Sequence, residues 1–322
     1  MNHPTSNVRA RLAGACLVAM FATFLPASAA FWSTASKDVP AASTSGNSAP
    51  TAQPVQGETF AGVMIELPLT ATDPDGDAVL LKLIDLPRLG TASIDGSKLQ
   101  YTPQEGKTGT DKFTYAAIDT VGNESKPAQI KIKITRNKAK LTYSDMGMSA
   151  AHYAALCLAE SGIMTGERIG ASYFFHPNET VTRGEFIAMV SALADLPIVQ
   201  TAQTDFADDS GLSEWVKPYI SAAAASGLVS GYQTASGACE IRGQNPITLA
   251  EASVLLGGLL DEEYAVQTAS IDASYAPAWA QNACAVLTAA DVLPDSAQTL
   301  DSSDPITRET ACQLLYRTME KL

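Results

Sequence analysis

The chain has 322 residues with 34 Asp+Glu against 21 Lys+Arg, a formal net charge of −13, and only three histidines. Such acidity excludes a nucleic-acid partner, which needs clustered cations to neutralise phosphates, and His3, His152 and His176 leave little for a His-based triad or zinc site. The charge is uneven: residues 1–139 hold 13 Lys+Arg and 12 Asp+Glu, whereas residues 140–322 hold 8 and 22, so a domain boundary is expected near residue 139.

Arg9 and Arg11 precede an uncharged run from Leu12 to Leu25, followed by Ala27-Ser28-Ala29. A basic start, a 14-residue apolar run and an A-x-A site predict a signal peptide over 1–29 and an exported protein. The run is shorter than the ~20 apolar residues of a spanning helix. No later stretch supplies another, so no membrane anchor is expected after cleavage. Export permits disulfides, but Cys157, Cys239, Cys284 and Cys312 lack C-x-x-C spacing. Three of these, Cys157, Cys284 and Cys312, fall in helix-like patterns and read as small buried residues.

Residues 30–55 are rich in Ser, Thr, Ala and Pro and read as a flexible linker, because this composition cannot bury a core. From residue 56 short strand-like runs take over: Met64–Leu69, Val79–Ile84, Lys98–Thr102, Lys112–Ile118 and Ile130–Thr135. Turn-rich clusters such as Asp73-Pro74-Asp75-Gly76-Asp77 and Gly122-Asn123 separate them. This spacing predicts an antiparallel β-sandwich over 56–136. Asp73, Asp75 and Asp77 alternate as hard oxygen ligands suited to calcium; the same pattern also makes an Asx-rich turn that caps its own backbone. Leu67 to Asp77, Tyr101-Thr102-Pro103, Asp111 to Tyr115, and Asp119 with Gly122 resemble the bacterial Ig-like or cadherin-like repeat, across about residues 48–135. That resemblance implies an optional calcium ion in the Asp73–Asp77 loop.

Beyond residue 140 the pattern turns helical and recurs. Helix-like runs stop at Ser161-Gly162-Ile163, Ser226-Gly227-Leu228 and Asp291-Val292-Leu293. Each is followed by a second helix start: Val181-Thr182-Arg183-Gly184-Glu185, Ile247-Thr248-Leu249-Ala250-Glu251 and Ile306-Thr307-Arg308-Glu309-Thr310. Asp145, Asp208 and Asp272 are 63 and 64 residues apart, and Thr182, Thr248 and Thr307 are 66 and 59 apart, which indicates three homologous stacked units. Thr182 with Glu185, and Thr248 with Glu251, fit a capping box; Thr310 leaves the third unit with the N-cap alone. Arg183 and Arg308 are not required for capping and oppose the helix dipole. Their guanidiniums suit either a ligand carboxylate or an internal ion pair.

These units resemble the S-layer homology domain, a family of three tandem repeats. The match rests on Tyr143-Ser144-Asp145, Phe206-Ala207-Asp208, Ile271-Asp272, Trp215, Trp279-Ala280, Phe175-His176-Pro177-Asn178 and Thr182-Arg183-Gly184-Glu185. The resemblance implies an all-α, pseudo-threefold bundle of helix-loop-helix repeats over 140–200, 201–264 and 265–322. Its inter-repeat grooves would bind acidic or pyruvylated glycan polymers linked to peptidoglycan. Asp145, Arg183, Asp208, Trp215, Asp272, Trp279 and Arg308 occupy the family's motif positions. Arg would meet a sugar carboxylate, Trp a pyranose face and Asp the hydroxyls, although both tryptophans are equally suited to a core. Ala150 at the tryptophan position of repeat 1, Leu249 for Arg in repeat 2 and Thr310 for Glu in repeat 3 predict at least one weakened groove, with the retained site around Arg183 or Arg308.

The expected protein is a non-catalytic cell-surface component, anchored by its repeats to the wall polymer and displaying the Ig-like module. The alternative is a calcium-dependent adhesin or carbohydrate binder acting through that module, with the repeats as a tether. An enzyme is not expected, since no carboxylate pair sits in a recognisable catalytic context.

Overall fold

A computed structural model describes residues 46–260, 264, 271–293 and 301–322. The signal peptide expected at 1–29 and the linker up to residue 45 lie outside the described residues. The described residues divide into two compact units, with the boundary in the sequence between Arg136 and Asn137.

The first unit is a β-sandwich of nine strands: β1 (Thr51–Ala52), β2 (Val55–Phe60), β3 (Ile65–Pro68), β4 (Ala71–Thr72), β5 (Leu80–Asp85), β6 (Gly90–Asp95), β7 (Lys98–Pro103), β8 (Gly109–Ile118) and β9 (Ala128–Thr135). One sheet has the order β2-β9-β8-β5, the facing sheet β3-β7-β6, and β1 pairs with β4. Thr51, Ala52 and Val55, expected as linker, therefore already belong to strands. Along β9 burial alternates strictly, with Ala128, Ile130, Ile132 and Ile134 inward and Gln129, Lys131 and Lys133 outward, the two-residue period of a half-buried strand. The inward set packs with Phe60, Leu99, Tyr101, Phe113 and Tyr115. Tyr101 stacks on Phe113 and donates its buried hydroxyl to Asp111 Oδ2 at 2.8 Å, so the polar tip is satisfied inside the core.

The expectation of a purely antiparallel sandwich is corrected at one edge, where β2 runs parallel to β9 from Val55↔Ile130 to Phe60↔Thr135. The chain leaves β2 through a turn at Gly62 (φ +80°) and continues as β3 in the opposite sheet, so β2 is placed beside the last strand without a hairpin.

The second unit holds six helices among the described residues: α1 (His152–Glu160), α2 (Arg183–Leu193), α3 (Lys217–Ala225), α4 (Leu249–Gly257), α5 (Gln281–Ala289) and α6 (Arg308–Met319). The first helix of each repeat ends in a Schellman motif. In repeat 1 the amide of Ile163 bonds Leu158 O and that of Gly162 bonds Ala159 O; Leu228 with Gly227, and Val292 with Asp291, repeat the pattern. The left-handed residue is Gly162 (φ +71°) and Gly227 (φ +78°), and Asp291 (φ +57°) in repeat 3.

The all-α expectation is corrected as well. Two small hairpins, β10–β11 (Glu167–Ile169 with Ser172–Phe174) and β12–β13 (Tyr232–Gln233 with Cys239–Glu240), separate the helices of repeats 1 and 2. Gly170 (φ +63°) opens the two-residue turn of the first, the conformation such a tight hairpin needs.

Packing runs in a closed cycle. α2 packs on α3, α4 on α5 and α6 on α1, while α2, α4 and α6 also touch one another. Bridges Thr182↔Pro246, Thr248↔Pro305 and Thr180↔Thr307 tie the three helix starts together pairwise. No helix among the described residues is long and apolar enough to cross a membrane.

Candidate functional site

The cycle is built on three threonine caps. Thr182, Thr248 and Thr307 each accept the amide three residues on, from Glu185, Glu251 and Thr310, at 3.2–3.3 Å. Glu185 and Glu251 close the box by accepting the Thr182 and Thr248 amides through Oε2 at 2.9 and 3.0 Å. The first two amides of each helix donate to the neighbouring repeat. Arg183 and Gly184 reach Asn245 O and Gly243 O, both at 2.8 Å, and Leu249 and Ala250 reach Asp304 O and Ser302 O. Arg308 and Glu309 reach Glu179 O and Pro177 O. The donors usually left over at a helix start thus close the ring.

The arginines are spent inside this ring. Arg183 is 8% exposed; its Nε donates to Ile241 O at 3.1 Å, its Nη1 lies 3.7 Å from Glu251 Oε1, and its guanidinium covers the Tyr232 ring at 5.1 Å. Arg308 repeats the arrangement, with Nε on Phe175 O at 2.7 Å, Nη2 on Thr165 O at 2.9 Å, and the guanidinium 5.0 Å from the Phe175 ring. From the first helical position each side chain extends sideways to the adjoining loop. The placement that seemed adverse to the helix dipole is compensated by carbonyls of the next repeat. Both residues stitch adjoining repeats together, the internal one of the two roles their guanidiniums suit.

The aspartates also act on the backbone. Asp145 accepts the Phe175 and His176 amides at 2.8 and 2.7 Å; Asp208 accepts those of Ile241 and Arg242 at 2.9 and 2.8 Å. They hold His176 (φ +58°) and Arg242 (φ +57°), two residues in the left-handed region that side chains seldom adopt, in loops that meet the helix starts. Asp272 accepts the Ser274 amide at 2.9 Å, and hydrogen bonds from Ser274 hold its carboxyl below the usual range.

The tryptophans differ. Trp215 and Trp279 are 55% and 61% exposed and stand just before the N-caps of α3 and α5, where repeat 1 carries the small Ala150. The structure therefore decides against a core role for either. Trp215 walls a cleft between repeats 1 and 2. Thr182, Gly184 and Glu185 of the α2 start form one side, Ser213 and Val216 adjoin the tryptophan, and Gly243 and Gln244 complete the lining. A Cβ on Gly184 would stand 3.0 Å from Gly243 O, so the two backbones approach closely and leave the lining bare. Ser213, Gly243 and Gln244 were not singled out in the sequence, and Gly184 and Glu185 only as parts of a helix start. The visible signal was glycine at position 184, where the other repeats have Ala250 and Glu309.

The carboxylates of the first unit do not gather. Asp73 Oδ1 accepts the amides of Asp75 and Asp77 at 2.9 and 3.3 Å, and Asp75 Oδ2 accepts the Ser48 amide at 2.6 Å. This is the self-capping Asx turn that the same Asp73–Asp77 pattern also predicts, and among the described residues no group of three metal-binding side chains occurs. Among the described residues Cys239, Cys284 and Cys312 form no disulfide, and Cys284 and Cys312 are buried.

Fold and site together define a modular protein: an Ig-type sandwich joined to a ring of three capped helical repeats with an aromatic-walled cleft. Residues 47–133 match the family model of the bacterial Ig domain, and residues 205–253, in repeat 2, that of the S-layer homology domain. Over 74 residues the chain is 35% identical to an S-layer protein of Bacillus thuringiensis subsp. finitimus; the match spans 23% of this chain and 8% of that protein. The chain thus carries one stretch that matches a bacterial Ig domain and one that matches an S-layer homology domain, which together indicate a cell-surface location. Among solved structures, the SrpA adhesin of Streptococcus sanguinis is 18% identical, covering 40% of this chain and 84% of its own, with a TM-score of 0.26. The D00-D0 domain of intimin is 17% identical, covering 29% and 50%, with a TM-score of 0.22. Likenesses this slight carry no argument about function.

Proposed function

We propose that the chain is a non-catalytic envelope protein held non-covalently at the cell surface, its three repeats binding a glycan polymer linked to peptidoglycan. The observation that carries this reading is Trp215, more than half exposed beside a polar inter-repeat cleft although an indole of that size is normally mostly buried. An exposed indole beside hydroxyl and amide groups is suited to a sugar ring, whose faces are apolar and whose rim is polar. The sandwich is then the module the anchor displays. Three interlocked repeats supply the rigid frame on which such a cleft keeps its shape.

The test is co-sedimentation of the full chain with purified sacculi, before and after hydrofluoric acid strips their attached polymers. Binding to intact sacculi that falls at least tenfold on stripping is expected. Equal binding to both, or none to either, overturns the proposal.

A further inference from the structure

We infer that the cleft between repeats 1 and 2 recognises an uncharged sugar face of the wall polymer, not an acidic substituent. This deepens the anchor reading and rests on it. Three groups of observations carry the inference.

The first is the lining. Besides Trp215 it consists of the hydroxyls of Thr182 and Ser213, the Gln244 amide and the bare backbone of Gly184 and Gly243. Its one ionisable side chain is Glu185, an acid. Glu214, next to the tryptophan, adds another carboxylate, 79% exposed.

The second is the fate of the nearest cations in the chain. Arg183 is buried against Ile241 O and the Tyr232 ring. Lys217 Nζ is held by Asp209 Oδ2 and Ala202 O, both at 3.1 Å, and by Glu214 at 3.2 Å. Arg242 lies over the same Tyr232 ring, its guanidinium 4.5 Å from the centroid and its Nε 3.5 Å from Glu240. None of the three lines the cleft.

The third is the helix start itself. A helix N-terminus binds anions through amides left without partners. At α2 the amides of Arg183, Gly184 and Glu185 already donate to Asn245 O, Gly243 O and Thr182 Oγ1. A sugar carboxylate entering here would meet no charge-assisted donor and would face a unit with 22 Asp+Glu against 8 Lys+Arg in residues 140–322. A neutral pyranose would stack on Trp215 and exchange hydrogen bonds with Ser213 and Gln244.

The experiment uses the full chain and three preparations of sacculi from the producing bacterium: intact, amidated with carbodiimide and methylamine so that carboxylates become neutral amides, and stripped with hydrofluoric acid. The expected result is affinity for amidated sacculi within twofold of intact, a loss of at least tenfold on stripping, and a change of less than twofold between 50 and 500 mM salt. Trp215→Ala loses about tenfold with an unchanged melting temperature, and Trp215→Phe recovers most of it. Loss of binding on amidation, or steep weakening by salt, overturns the neutral-sugar inference while leaving the anchor intact. Undiminished binding to stripped sacculi overturns the anchor itself. Unchanged affinity of Trp215→Ala removes the cleft as the site.

Discussion

At the junction of repeats 1 and 2 the bare backbone of Gly184 faces that of Gly243 beneath Trp215. At the junction of repeats 3 and 1 the corresponding place holds Glu309, whose carboxylate accepts the Ser149 hydroxyl, and Ala150 stands where the tryptophan would be. Yet the backbone is the same at both: the second amide of the helix donates to the next repeat, Gly184 to Gly243 O at 2.8 Å and Glu309 to Pro177 O at 3.0 Å. Main-chain bonds and threonine caps assemble the ring, so the side chain at this position is left to decide whether a junction opens as a cleft or is filled. By the same logic the arginine before it belongs to assembly, since it reaches a neighbouring carbonyl at both junctions.

That division is broken most forcefully at Arg183. Replacing it by alanine strands the Ile241 carbonyl and removes the cation beside the Glu251 carboxylate in a buried interface. The expected cost is about 3 kcal/mol in urea unfolding followed by helical circular dichroism. Arg308→Ala, at a more exposed position, is expected to cost roughly half as much. An unchanged midpoint for Arg183→Ala, with sacculus binding lost, would return the residue to the ligand. The next largest effect is at Gly184. Gly184→Glu copies the filled junction into the open one and is expected to lower sacculus affinity at least tenfold, about 1.4 kcal/mol. Some loss of stability is expected with it, because a Cβ at this buried position meets Gly243 O at 3.0 Å, so affinity is compared under conditions where circular dichroism shows the variant folded. Full binding by this variant would show that the cleft is not where the polymer sits.

Local rules were readable in the chain, and encounters between distant segments were not. The caps at Thr182, Thr248 and Thr307 and the Gly162 and Gly227 helix stops need only a few consecutive residues, so their spacing revealed the three units. The alternation in β9 likewise announced a strand. The destinations of Arg183 and Asp208 depend on a loop some 30 to 60 residues downstream, and no nearby pattern reports them. The parallel β2–β9 edge escaped notice for the same reason, being set by a change of sheet after Gly62. Trp215 was ambiguous because a tryptophan fits a core and a sugar face equally well until its exposure is known. In the Asp73–Asp77 loop the sequence offered two readings, and the bonds seen are those of the local one: Asp73 accepts the amides of Asp75 and Asp77.

A smaller effect sharpens the comparison of caps. Thr182→Ala removes the bond to the Glu185 amide and also releases Glu185 Oε2 from the Thr182 hydroxyl, 2.9 Å away. At the other junction Thr307→Ala loses the bond to the Thr310 amide and a contact with the Thr310 hydroxyl, with no carboxylate involved. Expected losses are about 1 kcal/mol for Thr182→Ala and somewhat less for Thr307→Ala. A larger loss at Thr307 would mean that the complete box adds nothing to the first junction.

The smallest effect is one of pH, and it also separates the repeats. The first residue of the first helix is His152 in repeat 1 and Lys217 in repeat 2, buried at 4% and 5% exposure. The Asp209 carboxylate bonded to Lys217 raises the ammonium above its ordinary value of 10.5. The stability this gives is complete below that value and is lost only in strong alkali. Burial lowers the His152 imidazole below its ordinary 6.5, against the opposing pull of Asp145, and its Nε2 has no hydrogen-bond partner among the described residues. Above 6.5 both folded and unfolded chains keep this histidine neutral. As pH falls, the unfolded chain takes up the proton first and stability declines until the folded value is passed, by at most ~1.4 kcal/mol per pH unit. His152→Gln, which installs the residue type found at the equivalent Gln281, should remove that slope between pH 7 and 5, while the carboxylate-driven losses at lower pH remain. Unfolding free energies of the two proteins that run parallel across this window would show that His152 is hydrated in the folded chain, and that repeat 1 has no acid-sensitive position that repeat 2 lacks.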